Sequence, residues 1–417
     1  MSTVADTSLV HTADGVPLRA KLRRVERRQQ LRAVGLVAPL FLFIFITFIC
    51  PIGMLMFRSV DNPEIVQNMP RTVAALTRWE GTDLPPEEAY AALAADLKDM
   101  QTNKTAGVVG KRINYELPGT RSKFLAAARA AEKFQSGPYK DAFLGLDKMW
   151  ADPKTWKVIQ RDGRPYTSYY LLAAVDRTRD LDGNIVRVDP NQAVFVDVFV
   201  RTLGIASTVT LATLLLGFPV AYLLATLPTR HSNLLMILVL LPFWTSLLVR
   251  TTAWVVLLLD NGTVNTTLLF LHIIDHPLKL IFTRFSTIVA MTHIQLPFTL
   301  LPIYSVMKTI SPSHMRAARS LGAGPFYAFW RVYFPQTVPG IAAGCLLTFI
   351  LSLGYYITPA LIGGPADQMV SYYVAFFINN TVNWGQAAAL GAILLVLTSV
   401  LYVLYNRLVG IDKMKLG

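Results

Sequence analysis

The stretch TISPSHMRAARSLGAGPFYAFWRVYFPQTVPGI, residues 309–341, decides the organisation of this chain. It is a polar interruption between two long apolar runs. It carries Arg316, Arg319 and Arg331 and no acidic residue. Because short basic loops of membrane proteins stay on the cytoplasmic side, the sequence predicts a cytoplasmic position for this stretch.

The capping, proline and glycine residues of the same stretch predict two short helices. Ser311 is a favoured capping residue, Pro312 suits a first helical position, and Gly322 suits a helix end. Pro325 can open a second helix, which we expect Pro335 to stop. The prediction is a compact helix–turn–helix outside the bilayer.

The composition identifies a polytopic membrane protein. Of the 417 residues, 53% are apolar, and several apolar runs reach the ~20 residues that a helix needs to cross a bilayer. The net charge of +13 does not indicate nucleic-acid binding, because the basic residues cluster at the ends of apolar runs. Nineteen of the 26 acidic residues fall in one segment, residues 58–201, which has an ordinary soluble composition.

Six membrane spans follow from the hydropathy and the charges. A tail, residues 1–33, ends in a basic cluster that predicts a cytoplasmic N-terminus, and the run 34–57 is too long for a signal peptide. We expect the C-terminal tail, residues 409–417, to be cytoplasmic as well. The membrane core, residues 202–408, contains the polar loop 309–339 and five further predicted spans, 203–227, 235–259, 287–307, 340–362 and 387–408.

The soluble segment 58–201 predicts a mainly helical domain inserted between the first two spans, on the extracytoplasmic side. Helical patterns cover residues 85–100, 121–134 and 139–149. Residues 167–175 and 185–189 flank Asp182-Gly183 and indicate a hairpin. The alternative is a long irregular loop, although unstructured loops beyond ~15 residues are uncommon in compact proteins.

The chain shows no motif for an energy-converting reaction of its own. A phosphate-binding loop, a nucleophile elbow, a His-Glu-x-x-His pair and a Cys-x-x-Cys pair are all absent from the sequence. The histidines offer no ligand set, and Cys50 and Cys345 lie in apolar runs as small hydrophobes. We therefore predict no catalytic residue, no metal and no cofactor.

Residues 316–323, Arg-Ala-Ala-Arg-Ser-Leu-Gly-Ala, followed by Val-Tyr-Phe-Pro at 332–335, resemble the EAA loop of permease subunits of binding-protein-dependent ABC importers. Further matches at 249–254, 296–304 and 340–345 resemble the spermidine/putrescine branch. The family motif usually begins with Glu, where this chain has Arg316. The resemblance implies an ATPase-coupling site made of Arg316, Ala317, Ala318, Leu321, Gly322, Ala323, Val332 and Pro335.

The resemblance also implies the fold, the setting and the partners. We expect an all-α protein with six transmembrane helices in the type I ABC importer permease fold, in a bacterial inner membrane and in contact with its lipid. It would form half of a path for a small polar organic solute of the polyamine type. The implied partners are an ATP-binding cassette ATPase dimer, a second permease subunit and a periplasmic substrate-binding protein. Nucleic acid is not among them.

Candidate solute-contacting residues are polar or aromatic side chains inside predicted spans. Such groups suit a cationic solute through cation–π contacts and hydrogen bonds, although placement at the membrane interface and helix packing are the more common uses for each residue taken separately. Arg250 would repel a polycation, so we interpret it as a structural partner to polar groups or to another subunit. The candidates are Trp244, Thr245, Gln295, Tyr355 and Tyr356.

Two other classes of membrane protein remain as alternatives. An ion-coupled secondary transporter of a small organic ion should carry acidic relays inside its spans, and the sequence offers none there. A receptor with the inserted segment as its sensor would need a cytoplasmic output domain. The transport subunit is the preferred interpretation.

Overall fold

A computed structural model describes residues 18–180 and 183–409, with side chains from residue 25 to residue 407. The predicted C-terminal tail from residue 410 and the first part of the predicted N-terminal tail lie outside the described residues. The chain divides into two compact units, one ending at Phe57 and the other beginning at Arg58. Six helices in the described ranges are long and apolar enough to cross a membrane, which confirms the predicted number of spans.

The first unit is a single long helical rod. It consists of α1 (Leu18–Ile44), a π-helical turn (Phe45–Ile49) and α2 (Cys50–Phe57). The π-turn immediately precedes Cys50 and Pro51. Apolar side chains cover all sides of the apolar part of this rod and are exposed within the unit, as expected of a helix that lipid or another helix surrounds.

The second unit begins with a helical domain, residues 58–194, which we call the cap. The three helices predicted there are present as α5, α7 and α8. Its core contains fully buried Leu93, Leu97, Phe124, Trp150 and Trp156. The cap helices are α3 (Pro63–Asn68), α4 (Pro70–Leu76), α5 (Glu87–Thr102), α6 (Ala106–Glu116), α7 (Thr120–Ala131), α8 (Tyr139–Leu146), α9 (Pro153–Asp162) and α10 (Tyr169–Ala173), with a 3-10 turn at Lys148–Ala151.

The predicted hairpin is shorter than expected and one of its predicted strands is wrong. Strands β1 (Arg177–Arg179) and β2 (Ile185–Arg187) pair antiparallel, with Thr178 opposite Val186. Most of residues 167–175 instead form α10, and the Thr167 hydroxyl accepts the Tyr169 N–H at 3.0 Å, a local bond that competes with strand pairing. Asp182 lies outside the described residues.

A buried ionic cluster joins the cap helices. The Arg112 guanidinium, 1% exposed, lies 3.0 Å from the Glu116 carboxylate and 3.1 Å from the Asp162 carboxylate. Its Nε donates to Asn62 Oδ1 at 3.1 Å, and its Cζ lies 4.8 Å from the centre of the Tyr169 ring. The cluster therefore satisfies a charge that burial alone would make costly.

The membrane part of the second unit contains five of the six candidate spans. Its helices are α11 (Phe195–Thr226), α12 (Thr229–Leu240), α13 (Leu247–Leu258), α14 (Thr263–Phe270), α15 (Arg284–Thr309), α16 (Pro312–Ser320), α17 (Pro325–Ala328), α18 (Phe334–Leu353), α19 (Ile357–Ile362), α20 (Val370–Asn379) and α21 (Trp384–Val409). Short 3-10 turns lie at Leu241–Trp244 and Pro365–Asp367, and a π-turn at Phe329–Tyr333.

Two of the predicted spans are not continuous helices. Residues 235–259 break between α12 and α13, where the chain is extended at Thr245 and Ser246 and the Ser246 hydroxyl caps α13. Residues 340–362 break at Gly354, between α18 and α19. Hydropathy did not reveal either break because the interrupting residues belong to apolar runs.

Helices α11, α15 and α18 form the core of the membrane part. A Cβ added at Gly344 of α18 would lie 2.5 Å from the Thr299 carbonyl oxygen of α15, so glycine allows the two backbones to touch. At the same level the Thr299 hydroxyl bonds to those of Thr213 on α11 and Thr348 on α18, at 2.8 and 2.6 Å. Hydrogen bonds thus link all three helices.

We expect the ionic cluster to stabilise the cap. Arg112→Met should destabilise it by about 3 kcal/mol, because Glu116 and Asp162 would remain buried with less compensating charge. Hydrogen exchange of cap peptides in the full-length protein measures this as faster exchange in α6 and α9. Arg129→Met, at an exposed position of α7, serves as the control. Equal protection of the two variants would contradict the role given to Arg112.

Candidate functional site

The polar stretch between α15 and α18 begins with a capped, solvent-facing helix. The Ser311 hydroxyl accepts the Ser313 N–H at 3.3 Å, and Pro312 occupies the first turn of α16, as predicted. No residue of α16 is buried, and Arg319 in its last turn is favourably placed at the negative end of the helix dipole. The surface of α16 is therefore exposed.

Helix α16 ends in a left-handed glycine turn, as predicted. Gly322 has φ +89°, its N–H bonds to the Arg319 carbonyl at 3.0 Å, and the Ala323 N–H bonds to the Ala318 carbonyl at 3.1 Å. This pair of bonds is the Schellman arrangement, which satisfies the last carbonyls of a helix. A Cβ at Gly322 would meet no atom within 4 Å, so the backbone and not space demands glycine here.

The prediction that Pro335 ends the second helix is wrong. Helix α17 continues through the π-turn Phe329–Tyr333 directly into α18, and Pro335 lies near the start of α18. In the turn the Phe334 N–H bonds to the Phe329 carbonyl, five residues earlier. The wider turn accommodates a proline that would otherwise clash with the preceding helical turn. The second helix of the stretch 309–341 is thus continuous with the candidate membrane span that contains α18.

Aromatic contacts attach this continuous segment to α11. The Tyr222 ring lies 5.6 Å from the Phe329 ring and 5.4 Å from the Tyr333 ring, both nearly edge-on. Phe218 lies 5.8 Å from Phe334. The sequence did not predict the roles of Tyr222 and Phe218, because they lie more than a hundred residues before Phe329 in the chain. Their position as aromatic residues near the end of a predicted span was the one available signal.

The predicted coupling residues lie in α16, in the turn after it and in the segment that leads into α18. Arg316, Ala317, Gly322 and Pro335 are exposed, while Ala318, Ala323 and Val332 are half-buried. Arg316 forms no ion pair within the described ranges. Beside them is an apolar surface, which we call the coupling surface, formed by Leu321 (88% exposed), Phe326, Tyr327 and Trp330.

Four of the five predicted solute-contacting residues lie at the two helix breaks. Trp244, which is 80% exposed, and Thr245 occupy the break before α13. Tyr355 and Tyr356 occupy the break before α19. Helices α13 and α19 are joined by a hydrogen bond between the Thr251 and Thr358 hydroxyls at 3.0 Å, so the breaks precede two helices that pack together.

Gln295, the fifth predicted residue, is fully buried away from solvent. Its Oε1 accepts the Ser352 hydroxyl at 2.7 Å, which bridges α15 and α18. Arg250 lies one turn into α13 with its Cζ 5.9 Å from the centre of the Phe243 ring. Among the described residues no carboxylate pairs with Arg250, and its Nε is buried without a hydrogen-bond partner.

Comparison with known proteins accounts for this arrangement of spans and coupling stretch. The family described as "Binding-protein-dependent transport system inner membrane component" matches residues 204–410. The chain is 34% identical over 227 residues to the spermidine/putrescine transport system permease protein PotB of Escherichia coli (strain K12), covering 54% of this chain and 82% of that protein.

The chain belongs to this permease family. It is also 34% identical over 215 residues to PotB of Haemophilus influenzae, covering 51% of the chain and 74% of that protein. A solved bacterial transporter that imports the acidic polysaccharide alginate matches 53% of the chain and 80% of its own, with 20% identity and a TM-score of 0.42. The family match and the identity to PotB show that the protein is a multi-pass permease subunit of the inner membrane.

Gly322 provides a test of the coupling stretch. Gly322→Asp should abolish solute uptake while the permease still inserts in the membrane, because a side chain at this φ costs about 1 kcal/mol and loosens the helix end. Gly324→Asp adds the same charge two residues away at φ −63°, in open space, and should retain most uptake. Normal uptake in the Gly322 variant would show that α16 does not couple.

Proposed function

We propose that this permease forms half of the translocation path of an ATP-driven importer for a small polar organic solute of the polyamine type. The observation that carries the proposal is the 34% identity to spermidine/putrescine permeases over 227 and 215 residues, about half of this chain. A binding protein would deliver the solute, as the family description states for this class.

The coupling surface supports a cytoplasmic ATPase dimer as the source of energy. The amphipathic helix α16 and the exposed Leu321, Phe326 and Tyr327 suit docking into a groove on a partner. Closure of the ATPase dimer would move α17, and with it α18, because the two are one continuous helical segment. Contacts of Phe329 and Tyr333 with Tyr222 would carry the movement to α11.

Arg316 fits either a compensating acid on the partner or a side chain that simply faces water. Where relatives of this class usually carry Glu, an exposed guanidinium without an ion-pair partner in the described residues faces outward. A compensating acid on the ATPase would use this charge at the interface. The ATPase of this system would then differ from its relatives at the facing position.

The basic residues support an orientation in the membrane. With residues 309–339 and both tails in the cytoplasm, the cap would lie on the extracytoplasmic side. Arg316, Arg319 and Arg331, in a short loop without acidic residues, favour this orientation.

The two helix breaks support a solute path beside α13 and α19. Irregular backbone at membrane depth is tolerated where it is buried in protein or lines a water-filled cavity. Trp244 and Tyr356 would offer aromatic faces to a cation there. Helices α13, α15, α18 and α21 carry no acidic residue, so carboxylates for amines, and for Arg250, would come from a second permease subunit.

The polyamine assignment predicts the ligand dependence of ATP hydrolysis. In the reconstituted complex, binding protein loaded with spermidine or putrescine should raise ATP turnover, because the loaded protein selects the transport-competent state. A panel of small organic cations, amino acids and dicarboxylates provides the comparison. The Gly322→Asp permease is the uncoupled control. Turnover that responds to another solute but to no polyamine would reject the solute class and leave the transport role intact.

A further inference from the structure

A pocket of about 430 Å³ lies where the cap meets the loop that leads into α21. Its walls include Glu64, Lys104, Lys111 and Arg121 of the cap and Trp384 at the start of α21. We call it the joint pocket. It opens to the surface, and nothing in the proposed coupling or solute path uses it.

The walls of the joint pocket are held together by direct contacts. The Lys111 ammonium donates to the carbonyls of Thr381 (2.5 Å) and Val382 (3.1 Å) in the loop before α21. A Cβ added at Gly385 would lie 2.4 Å from the Tyr170 ring, so the cap lies directly against the backbone of α21. A molecule in this pocket would therefore contact the cap and the beginning of a membrane span at once.

The charges that remain unpaired in the pocket are mainly positive. Arg58 pairs with Asp61 at 3.2 Å, and Arg112 belongs to the buried cluster of the cap. Lys104 and Arg121 are exposed and form no ion pair among the residues described. Burial, with a smaller contribution from the Arg121 charge, lowers the pKa of the Lys111 ammonium, and the nearby Glu64 charge opposes this shift.

One acceptor in the pocket also lacks a partner. The Glu64 Oε2 atom is buried and has no hydrogen-bond partner within the described part of the chain. A complementary ligand would thus bring carboxylates for Lys104 and Arg121 and an N–H donor for Glu64. An acidic stretch of polypeptide carries both groups, because backbone N–H donors accompany Asp and Glu side chains.

We propose that the joint pocket docks an acidic surface segment of the solute-binding protein, a proposal that rests on the transport function given above. Exposed ion pairs contribute only about 0–1 kcal/mol each, so Lys104 and Arg121 alone would hold a free small anion weakly. A docked protein adds the surrounding contact area and is steered to the pocket by its charge. A segment docked there would contact the loop before α21, to which Lys111 donates its hydrogen bonds.

The test is the double variant Lys104→Glu with Arg121→Glu in the complete transporter in lipid nanodiscs. The concentration of loaded binding protein that half-saturates ATPase stimulation should rise about tenfold at low salt, because two attractive charges become repulsive. The difference should shrink as salt screens exposed charges. Hydrogen exchange of cap peptides checks that the variant cap is folded.

The matched control is Arg129→Glu with Lys133→Glu, the same charge change at exposed positions at and just after the far end of α7, outside the joint pocket. It should stay within about twofold of the wild type. If the binding protein stimulates the wild type and the two double variants equally, the docking site is overturned and the transport role stands. If the wild type is not stimulated at all, both are overturned.

A third measurement separates a protein partner from a small solute. Free glutamate titrated into the wild-type complex without binding protein should give no saturable heat. Saturable binding that the Lys104/Arg121 double variant loses would overturn protein docking in favour of a small-molecule site.

Discussion

The close contact between the backbones of α15 and α18 is the constraint on which the membrane part depends. Gly344 lies against the Thr299 carbonyl, and Gly340 lies similarly close to the Pro302 carbonyl one turn away. In lipid, where water exclusion does not drive helices together, such close packing and the hydroxyl bonds beside it hold a bundle. Residues 310–333 connect these two closely packed helices.

The π-turn before Pro335 explains why α17 is not a separate helix. Two π-turns occur in the described residues, at Phe45–Ile49 and Phe329–Tyr333, and each is followed by one residue and then a proline, Pro51 or Pro335. A proline inside a helix removes a hydrogen bond and crowds the preceding turn. The wider turn relieves this crowding and lets the helix continue, so Pro335 does not separate α17 from α18.

The sequence revealed features that depend on local chemistry or on long apolar runs. It predicted the number of spans, the caps of α16 at Ser311 and Gly322, and the helices α5, α7 and α8 of the cap. It did not reveal the breaks at Ser246 and Gly354, since hydropathy averages over a window and does not register hydrogen-bond geometry. The sequence also did not predict contacts between distant residues, such as Tyr222 with Phe329. The spacing of residues along one helix does not show which other helix packs against that helix.

The turn at Gly322 restricts the chirality of the residue at this position and not the size of its side chain. A residue of the usual L configuration meets no neighbour there, yet its own Cβ opposes the left-handed backbone. A mirror-image residue favours that backbone by the same sterics. A D-alanine introduced at position 322 by semisynthesis would therefore fit the native turn and restrict the unfolded chain more than glycine does, tightening the end of the coupling helix with a larger side chain.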